Sequence, residues 1–161
     1  MTPAPITTSS HGEGATFLAS GGYVLATSPA VARHDDDVQV QRFNADGSLA
    51  ATSPAFDYSG AAGLDQALDS AHGVAVQPNG QIVADGGHFA GGSSPIGLAR
   101  VNGNGSLDTA FGNGGTLTTT IQGDDTAAVV LIQPDGKIIA VGSSEDNSTG
   151  ETDVFLARYL G

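Results

Sequence analysis

Two aspartates that recur along the chain are the best candidates for chemistry. Asp69 and Asp125 are 56 residues apart, and each precedes a short apolar run that favours a β-strand. If both runs are equivalent strands around one channel, the two carboxylates converge, and with Asp124 and Glu13 they could hold Ca²⁺, which prefers oxygen ligands. The alternative is that each aspartate caps its strand by accepting backbone N–H groups. The interpretation as strand caps is favoured, and a calcium-type site on Asp69 and Asp125 is kept as the alternative.

Three arginines form a second recurring set. Arg42, Arg100 and Arg158 are spaced at 58 residues and make up three of the five basic residues. A ring of guanidinium groups would bind an anion, whereas hydrogen bonds to carbonyl or carboxylate groups would fix each repeat. The second interpretation is favoured, because repeated residues usually serve the repeat.

The remaining polar residues form no recognisable catalytic motif. The histidines occupy different repeat positions and have no His-x-His spacing: His11, His34, His72 and His88. His72 lies on a predicted inner strand, where Asp69 could orient it as a general base, but no Gly-x-Ser-x-Gly elbow supplies a nucleophile. The acidic run at 35–37 lacks the spacing of a calcium loop and is interpreted as a solvated loop. No catalytic or cofactor-binding residue is predicted.

The elements that must position these residues follow from an internal repeat. Residues 77–84, which begin Gln-Pro-Asn-Gly, recur as residues 133–140, which begin Gln-Pro-Asp-Gly. Residues 42–49 recur as residues 100–107, and a third copy of their arginine element stands at 158–161. Two independent blocks at a spacing of 56–58 residues indicate a tandem repeat.

Each repeat is predicted to consist of antiparallel strands. Asn-Gly and Asp-Gly are typical hairpin turns, and the runs around them are short and rich in β-branched residues. No window has the apolar spacing of an amphipathic helix, although residues 59–69 could form one helical turn. Four strands in a unit of this length are typical of a propeller blade. We predict an all-β, β-propeller-like domain of about three blades, at 12–58, 59–121 and 122–161, after a linker at 1–11.

Three blades are too few for a closed propeller, which generally has about 4–8. The chain is then either a partial propeller within a longer protein or one half of an oligomer. The simplest oligomer is a dimer that closes a six-bladed ring.

Three motifs give the chain a family resemblance. Residues 104–115 (Asn-Gly-Ser-Leu-Asp-Thr-Ala-Phe-Gly-Asn-Gly-Gly), 133–138 and 155–159 resemble the delta-60 repeats of predicted bacterial β-propellers. The resemblance implies a propeller in a protein that is often exported or attached to the cell surface, and it implies no catalytic residues. The first repeat departs from the pattern at 50–56 and at its first turn, which favours a terminal or interface blade.

Composition narrows the partners. The chain of 161 residues has 5 Lys plus Arg against 17 Asp plus Glu, a formal charge of −12, so nucleic acid and membranes are poor partners. It has no cysteine, which excludes disulfides and thiolate chemistry. Residues 1–10 have neither the charged start nor the apolar core of a signal peptide, which suggests a piece of a larger exported protein.

The sequence therefore predicts a non-catalytic interaction or structural module of a bacterial extracellular protein. Its partner would be a second copy, the rest of a longer chain, another protein or a carbohydrate. Two alternatives stay open. One is a propeller hydrolase or lyase that acts on a sugar or lactone through a carboxylate-bound cation, and the other is a self-assembling sector.

Overall fold

The computed structural model describes residues 10–29, 37–59, 68–89 and 93–161. Within these ranges all regular structure is β, as predicted, and no helix there could span a membrane. The strands are β1 (Ser10–Phe17), β2 (Tyr23–Pro29), β3 (Gln39–Phe43), β4 (Leu49–Thr52), β5 (Leu68–Val76), β6 (Ile82–Phe89), β7 (Ile96–Val101), β8 (Thr116–Thr119), β9 (Asp124–Ile132), β10 (Ile138–Glu145) and β11 (Thr152–Tyr159).

The strands form three antiparallel sheets, which we call blades. Blade 1 has the order β1-β2-β3-β4, blade 2 has the order β5-β6-β7-β8, and blade 3 has the order β9-β10-β11. Strand β5 contacts both β1 and β9, so the first strands of the blades lie side by side and the sheets pack face to face. This is the arrangement of a partial propeller, and it confirms the predicted fold class.

Tight turns join the first two strands of each blade. Gly80 and Gly136 adopt φ values of 86° and 84°, a region that glycine enters without a Cβ clash. Blade 1 has Ser20 before its turn glycine, and Gly21 has φ 88°. Its divergent sequence therefore gives the same turn geometry.

Apolar side chains form two cores, one on each side of blade 2. Alternation along β6 supplies both, because Ile82 and Ala84 face blade 1 whereas Val83 faces blade 3. The core between blades 1 and 2 contains Val24, Ala26, Val38, Val40, Phe56, Tyr58, Ala71, Val74, Ile82, Ala84, Ala99 and Val101. The core between blades 2 and 3 contains Val83, Ile96, Leu98, Phe111, Ala127, Val130, Ile138, Ala140 and Phe155.

An aromatic ring lies against a glycine in each core. A Cβ added to Gly97 would lie 2.3 Å from the Tyr58 ring, and one added to Gly86 would lie 3.0 Å from the Tyr58 hydroxyl. Between blades 2 and 3, a Cβ on Gly142 would lie 2.9 Å from the Phe155 ring. Gly142 matches Gly86 in the repeat, yet the ring that covers it comes from a different repeat position. At Gly97 the ring occupies the space of a side chain, whereas at Gly86 and Gly142 the carbonyl oxygens of Ser70 and Thr126 lie nearer still, at 1.7 and 1.9 Å from the added Cβ.

Several predicted boundaries shift. The helical turn proposed at 59–69 falls mostly on residues outside the described ranges, and β5 begins at Leu68. The predicted linker at 1–11 overlaps β1, which begins at Ser10. The predicted strand at 116–121 ends at Thr119, because the N–H of Ile121 bonds to the carboxylate of Asp125 instead of a neighbouring strand.

Candidate functional site

Asp69 lies near the start of β5, opposite His88 on β6, where blade 2 faces blade 1. Its carboxylate is buried and accepts two hydrogen bonds: one from Nδ1 of His88 at 2.6 Å and one from the backbone N–H of Tyr58 at 2.9 Å. The second bond ties the start of an inner strand to the segment that follows β4. Asp69 therefore has the geometry of the strand cap considered from the sequence.

A second carboxylate completes a buried cluster around His88. Asp57 Oδ1 is 3.5 Å from His88 Nδ1, and one ligand atom each from Asp57, Asp69 and His88 lies within 4.8 Å of the others. Burial raises the pKa of Asp69 to about 7, although hydrogen bonds from His88 and Tyr58 lower it, and the charge of Asp57 raises it further. Two carboxylates and an imidazole could hold a divalent cation such as Zn²⁺ or Mn²⁺.

Asp125 occupies the matching position in blade 3 and is also completely buried. Its Oδ2 accepts the N–H of Ile121 at 2.6 Å, and its Oδ1 bonds to the hydroxyl of Ser144, which stands where blade 2 has His88. Asp69 faces blade 1, whereas Asp125 bonds to the segment after β8, so the two carboxylates belong to different blade interfaces. Their joint calcium site stays a prediction, because the described cation-capable cluster joins Asp69 to Asp57 and His88 instead.

The other acidic positions add little to this site. Asp124 Oδ1 is buried without a hydrogen-bond partner among the described residues. The side chain of Glu13 lies outside what the structure describes, as do the side chain of His11, all of His34 and most of the run at 35–37.

His72 has a hydroxyl neighbour that the sequence analysis missed. Its Nδ1 lies 2.6 Å from the carbonyl oxygen of Ala127, so this nitrogen carries the proton and donates it to blade 3. Its Nε2 lies 3.0 Å from the hydroxyl of Ser70. This is the geometry of a nucleophile and its base, and it also links two blades. Asp69 does not orient His72, because successive strand residues point to opposite faces of the sheet.

A buried carboxylate without a partner lies on the same side of blade 2. Asp85 is fully buried, and neither of its oxygens makes a hydrogen bond within the described structure. Burial raises the pKa of Asp85 to about 6, partly offset by the charge of the His72 imidazole. The backbone N–H groups of Asp85 and Gly73 also lower this pKa, although neither has the geometry of a hydrogen bond to the carboxylate.

Arg100 fixes its own blade, as the favoured interpretation predicts. Arg100 donates from Nε to Asp108 at 2.7 Å, and its guanidinium lies 4.7 Å from the centre of the Phe111 ring. Desolvation opposes ionisation of Asp108, but hydrogen bonds from the Ala110 N–H and from Arg100 hold its pKa below the usual range. These contacts fix β7 to the segment that leads into β8.

The other two arginines differ from Arg100. Arg42 has no aspartate at the matching place in blade 1 and donates instead to the carbonyl of Gly103, in a turn of blade 2, at 3.0 Å. Arg158 is exposed and has no hydrogen bond or ion pair with any residue that the structure describes. The three guanidinium groups therefore do not act alike.

Blade 3 carries an uncovered sheet face, which we call the open face. Val154 and Leu156 are 84% and 68% exposed, whereas Ile96 and Leu98, at the same positions of blade 2, are 0% and 1% exposed. The match follows from strand pairing, since Arg100 pairs with Val83 as Arg158 pairs with Ile139. The open face consists of Val129, Leu131, Ile139, Val141, Val154, Leu156 and Arg158.

Some of these features were visible in the sequence and others were not. The repeat predicts the open face, because Val154 and Leu156 follow Ile96 and Leu98 at 58 residues. No local signal links Asp57 to His88, which are far apart in the chain and meet only when blade 2 packs on blade 1.

The fold and the open face define a class, namely a run of tandem β-propeller blades in which blade 3 has an uncovered apolar face. A family model described as a domain of unknown function (DUF5122) beta-propeller matches residues 77–111 and 133–160. Both matches begin at the glutamine before the hairpin turn, Gln77 in blade 2 and Gln133 in blade 3. These two stretches are similar to the repeats of a β-propeller family, in agreement with the fold. The comparison with curated proteins gave no match.

Proposed function

We propose that the chain is a non-catalytic β-propeller module that acts by binding, with the open face of blade 3 as its surface for another blade. The carrying observation is the exposure of Val154 and Leu156 at positions that are fully covered in blade 2. Exposed apolar patches of this kind mark interaction surfaces, because covering them removes apolar area from water.

The use of the polar groups supports a binding role. Asp69, Asp125 and Arg100 each have hydrogen-bond partners that hold strands or blades together. Side chains committed in this way stabilise the framework. The loop between β10 and β11 is held by Asp146, which accepts the N–H of Ser148 at 2.7 Å, and it offers a rigid polar surface for a protein or carbohydrate partner.

We place the module in a bacterial extracellular or surface protein of the delta-60 repeat type. The motifs at 104–115, 133–138 and 155–159 support this placement. Fractionation of cells that express the full-length protein tests it, and a purely cytosolic signal would contradict it.

Light scattering on a size-exclusion column tests the binding surface. The wild-type chain and Leu156→Asp are compared across a concentration series, with Phe89→Asp as a matched control at an exposed apolar position outside the open face. Covering Leu156 as completely as Leu98 would bury the new carboxylate, at a cost of at least about 2 kcal/mol, so association should weaken by about 30-fold or more. Phe89→Asp should associate like the wild type. Equal masses for wild type and Leu156→Asp at every concentration would refute the proposal.

A second candidate is a propeller hydrolase or lyase for a sugar or lactone with a carboxylate-bound cation. The buried cluster of Asp57, Asp69 and His88 favours it, because two carboxylates and an imidazole are suitable ligands. Thermal melts are recorded with and without Ca²⁺, Mn²⁺ or Zn²⁺. If the cluster binds the ion, an ion concentration of about 100 times Kd should raise the free energy of unfolding by about 2.7 kcal/mol. The rise should disappear in Asp57→Asn and persist in Asp125→Asn. No rise with any of the ions would remove this candidate.

A further inference from the structure

Among the side-chain contacts between blades, two are made with turn carbonyls. Arg42 of blade 1 donates to the carbonyl of Gly103 in blade 2 at 3.0 Å. Gln77 of blade 2 donates from Nε2 to the carbonyl of Gly136 in blade 3 at 2.8 Å. Each contact runs in the same direction, from a side chain of one blade to a turn carbonyl of the following blade.

Blade 3 repeats both donors, and neither has an acceptor among the described residues. Arg158 matches Arg42, and Gln133 matches Gln77, since both glutamines accept the N–H of the turn glycine three residues later. Neither side chain makes a hydrogen bond with the described residues, and both lie at the edge of the open face. Blade 3 is therefore equipped for a contact of the same kind.

Blade 1 carries the matching acceptors. Asn44 and Ser48 form the same backbone hydrogen bonds as Asn102 and Ser106, so the carbonyl of Ala45 stands where blade 2 has that of Gly103. Gly21 occupies the turn position of Gly136, with φ values of 88° and 84°. No described backbone hydrogen bond uses the Ala45 or Gly21 carbonyl.

The outer face of blade 1 also has the apolar side chains of a receiving blade. Tyr23, Leu25 and Phe43 stand where blade 2 presents Ile82, Ala84 and Val101 to its neighbour. Phe17 at the end of β1 is 86% exposed. The half-buried ring of Tyr23 stacks on the buried ring of Phe43, with ring centres 4.8 Å apart.

We propose that a second copy of this chain covers the open face, with blade 1 of one copy on blade 3 of the other. This inference rests on the proposed function and names its partner. Arg158 donates to the carbonyl of Ala45 in the second copy, and Gln133 donates to that of Gly21. Because each copy has one donor face and one receiving face, two copies of three blades close a six-bladed ring by a two-fold axis.

The absence of cysteine makes a crosslinking test clean. In Arg158→Cys/Ala45→Cys, a short bismaleimide should give a covalent product of twice the 15.9 kDa chain mass and nothing larger. The matched control is Arg158→Cys/Gly103→Cys, which places the second thiol in the same turn of blade 2. It should give at least tenfold less product. Arg42→Cys/Gly103→Cys is the positive control and should crosslink within one chain. The experiment is run in about 0.15 M salt, which screens the repulsion between two chains of charge −12.

Each outcome bears on a different statement. If the wild type associates in light scattering but the Ala45 pair gives no two-chain product, the ring is wrong and the open face binds something else. A ladder of larger products would mean open head-to-tail fibres and would also overturn the ring. If the wild type and Leu156→Asp do not associate at all, the proposed binding surface itself fails. Addition of Leu156→Asp to the Ala45 pair should abolish the two-chain product.

Discussion

Replacing Asp85 should stabilise this protein at neutral and alkaline pH. The carboxylate is fully buried, has no hydrogen-bond partner in the described structure, and faces blade 3 beside Gly73. Blades 1 and 3 have Ala26 and Val141 at the same position, since all three residues pair with the matching residue of the third strand. The fold therefore tolerates an uncharged side chain at this position, and the ionised carboxylate of Asp85 destabilises the folded state.

The pKa sets the size of this cost. Burial raises the pKa of Asp85 from 3.8 to about 6. At roughly 1.4 kcal/mol for each pKa unit, ionisation in the folded state costs about 3 kcal/mol above pH 6. Because the folded pKa lies above the unfolded one, the stability linked to this proton is fully present below about pH 3.8 and is lost as the pH rises through about 6.

The isosteric variant Asp85→Asn separates charge from shape. We expect it to be up to about 3 kcal/mol more stable than the wild type at pH 8, less any cost of burying the amide, and to gain much less at pH 4.5. For a chain of this size the gain at pH 8 corresponds to a Tm rise of roughly 6–12 °C. Asp85→Val, which copies blade 3, tests whether the apolar side chain does better still.

The assay is urea denaturation at the two pH values. Unfolding is monitored by the far-UV circular dichroism of the β-sheets, because the chain has no tryptophan for fluorescence. The comparison is made at a concentration where the chain does not associate, so that assembly does not contribute. A loss of more than about 1 kcal/mol at pH 8 in Asp85→Asn would refute the reasoning. Such a loss would mean that the carboxylate is bound by a group that the structure does not show.

Two further substitutions test the blade interfaces. Gly97→Ala should cost about 1–3 kcal/mol of stability, because the added Cβ would lie 2.3 Å from the Tyr58 ring. Its control is Gly103→Ala, where the added Cβ has only ordinary contacts beyond 3.5 Å. In the same denaturation assay this variant should change stability by less than about 0.5 kcal/mol. Arg100→Lys should cost about 1–2 kcal/mol, because lysine loses the Nε bond to Asp108 and the planar contact with Phe111. Arg158→Lys is its control and should leave the dissociated chain unchanged; an equal loss in both arginine variants would contradict the assignment.

The repeat made most of the fold predictable. Glycine turns such as Asp135-Gly136 and the β-branched runs around them act locally, so they could be read without knowing what packs where. The roles of Arg42 and Arg100 were predicted as a class, but not their different partners. The difference arises because Asp108 accepts a hydrogen bond from Arg100, whereas blade 1 has no aspartate at the matching position.

The candidate site was less predictable because its members meet across blades. Asp69 was selected from its place before a strand, while Asp57 and His88 were missed because only the packing of blade 2 on blade 1 brings them within reach. Ser70 was missed because no nucleophile motif surrounds it, although its hydroxyl lies 3.0 Å from His72. The same holds for the aromatic rings, since Tyr58 and Phe155 fill similar places from different repeat positions.

By itself, the sequence determined the period, the strand-and-turn pattern and the apolar alternation, because these follow from backbone preferences within a few residues. It also placed the apolar residues Val154 and Leu156 at the repeat positions of Ile96 and Leu98. Only the tertiary structure decided which side chains meet, which carboxylates are paired and which one is left without a partner. Those outcomes depend on how one sheet lies on the next, and that arrangement is fixed by contacts between residues far apart in the chain.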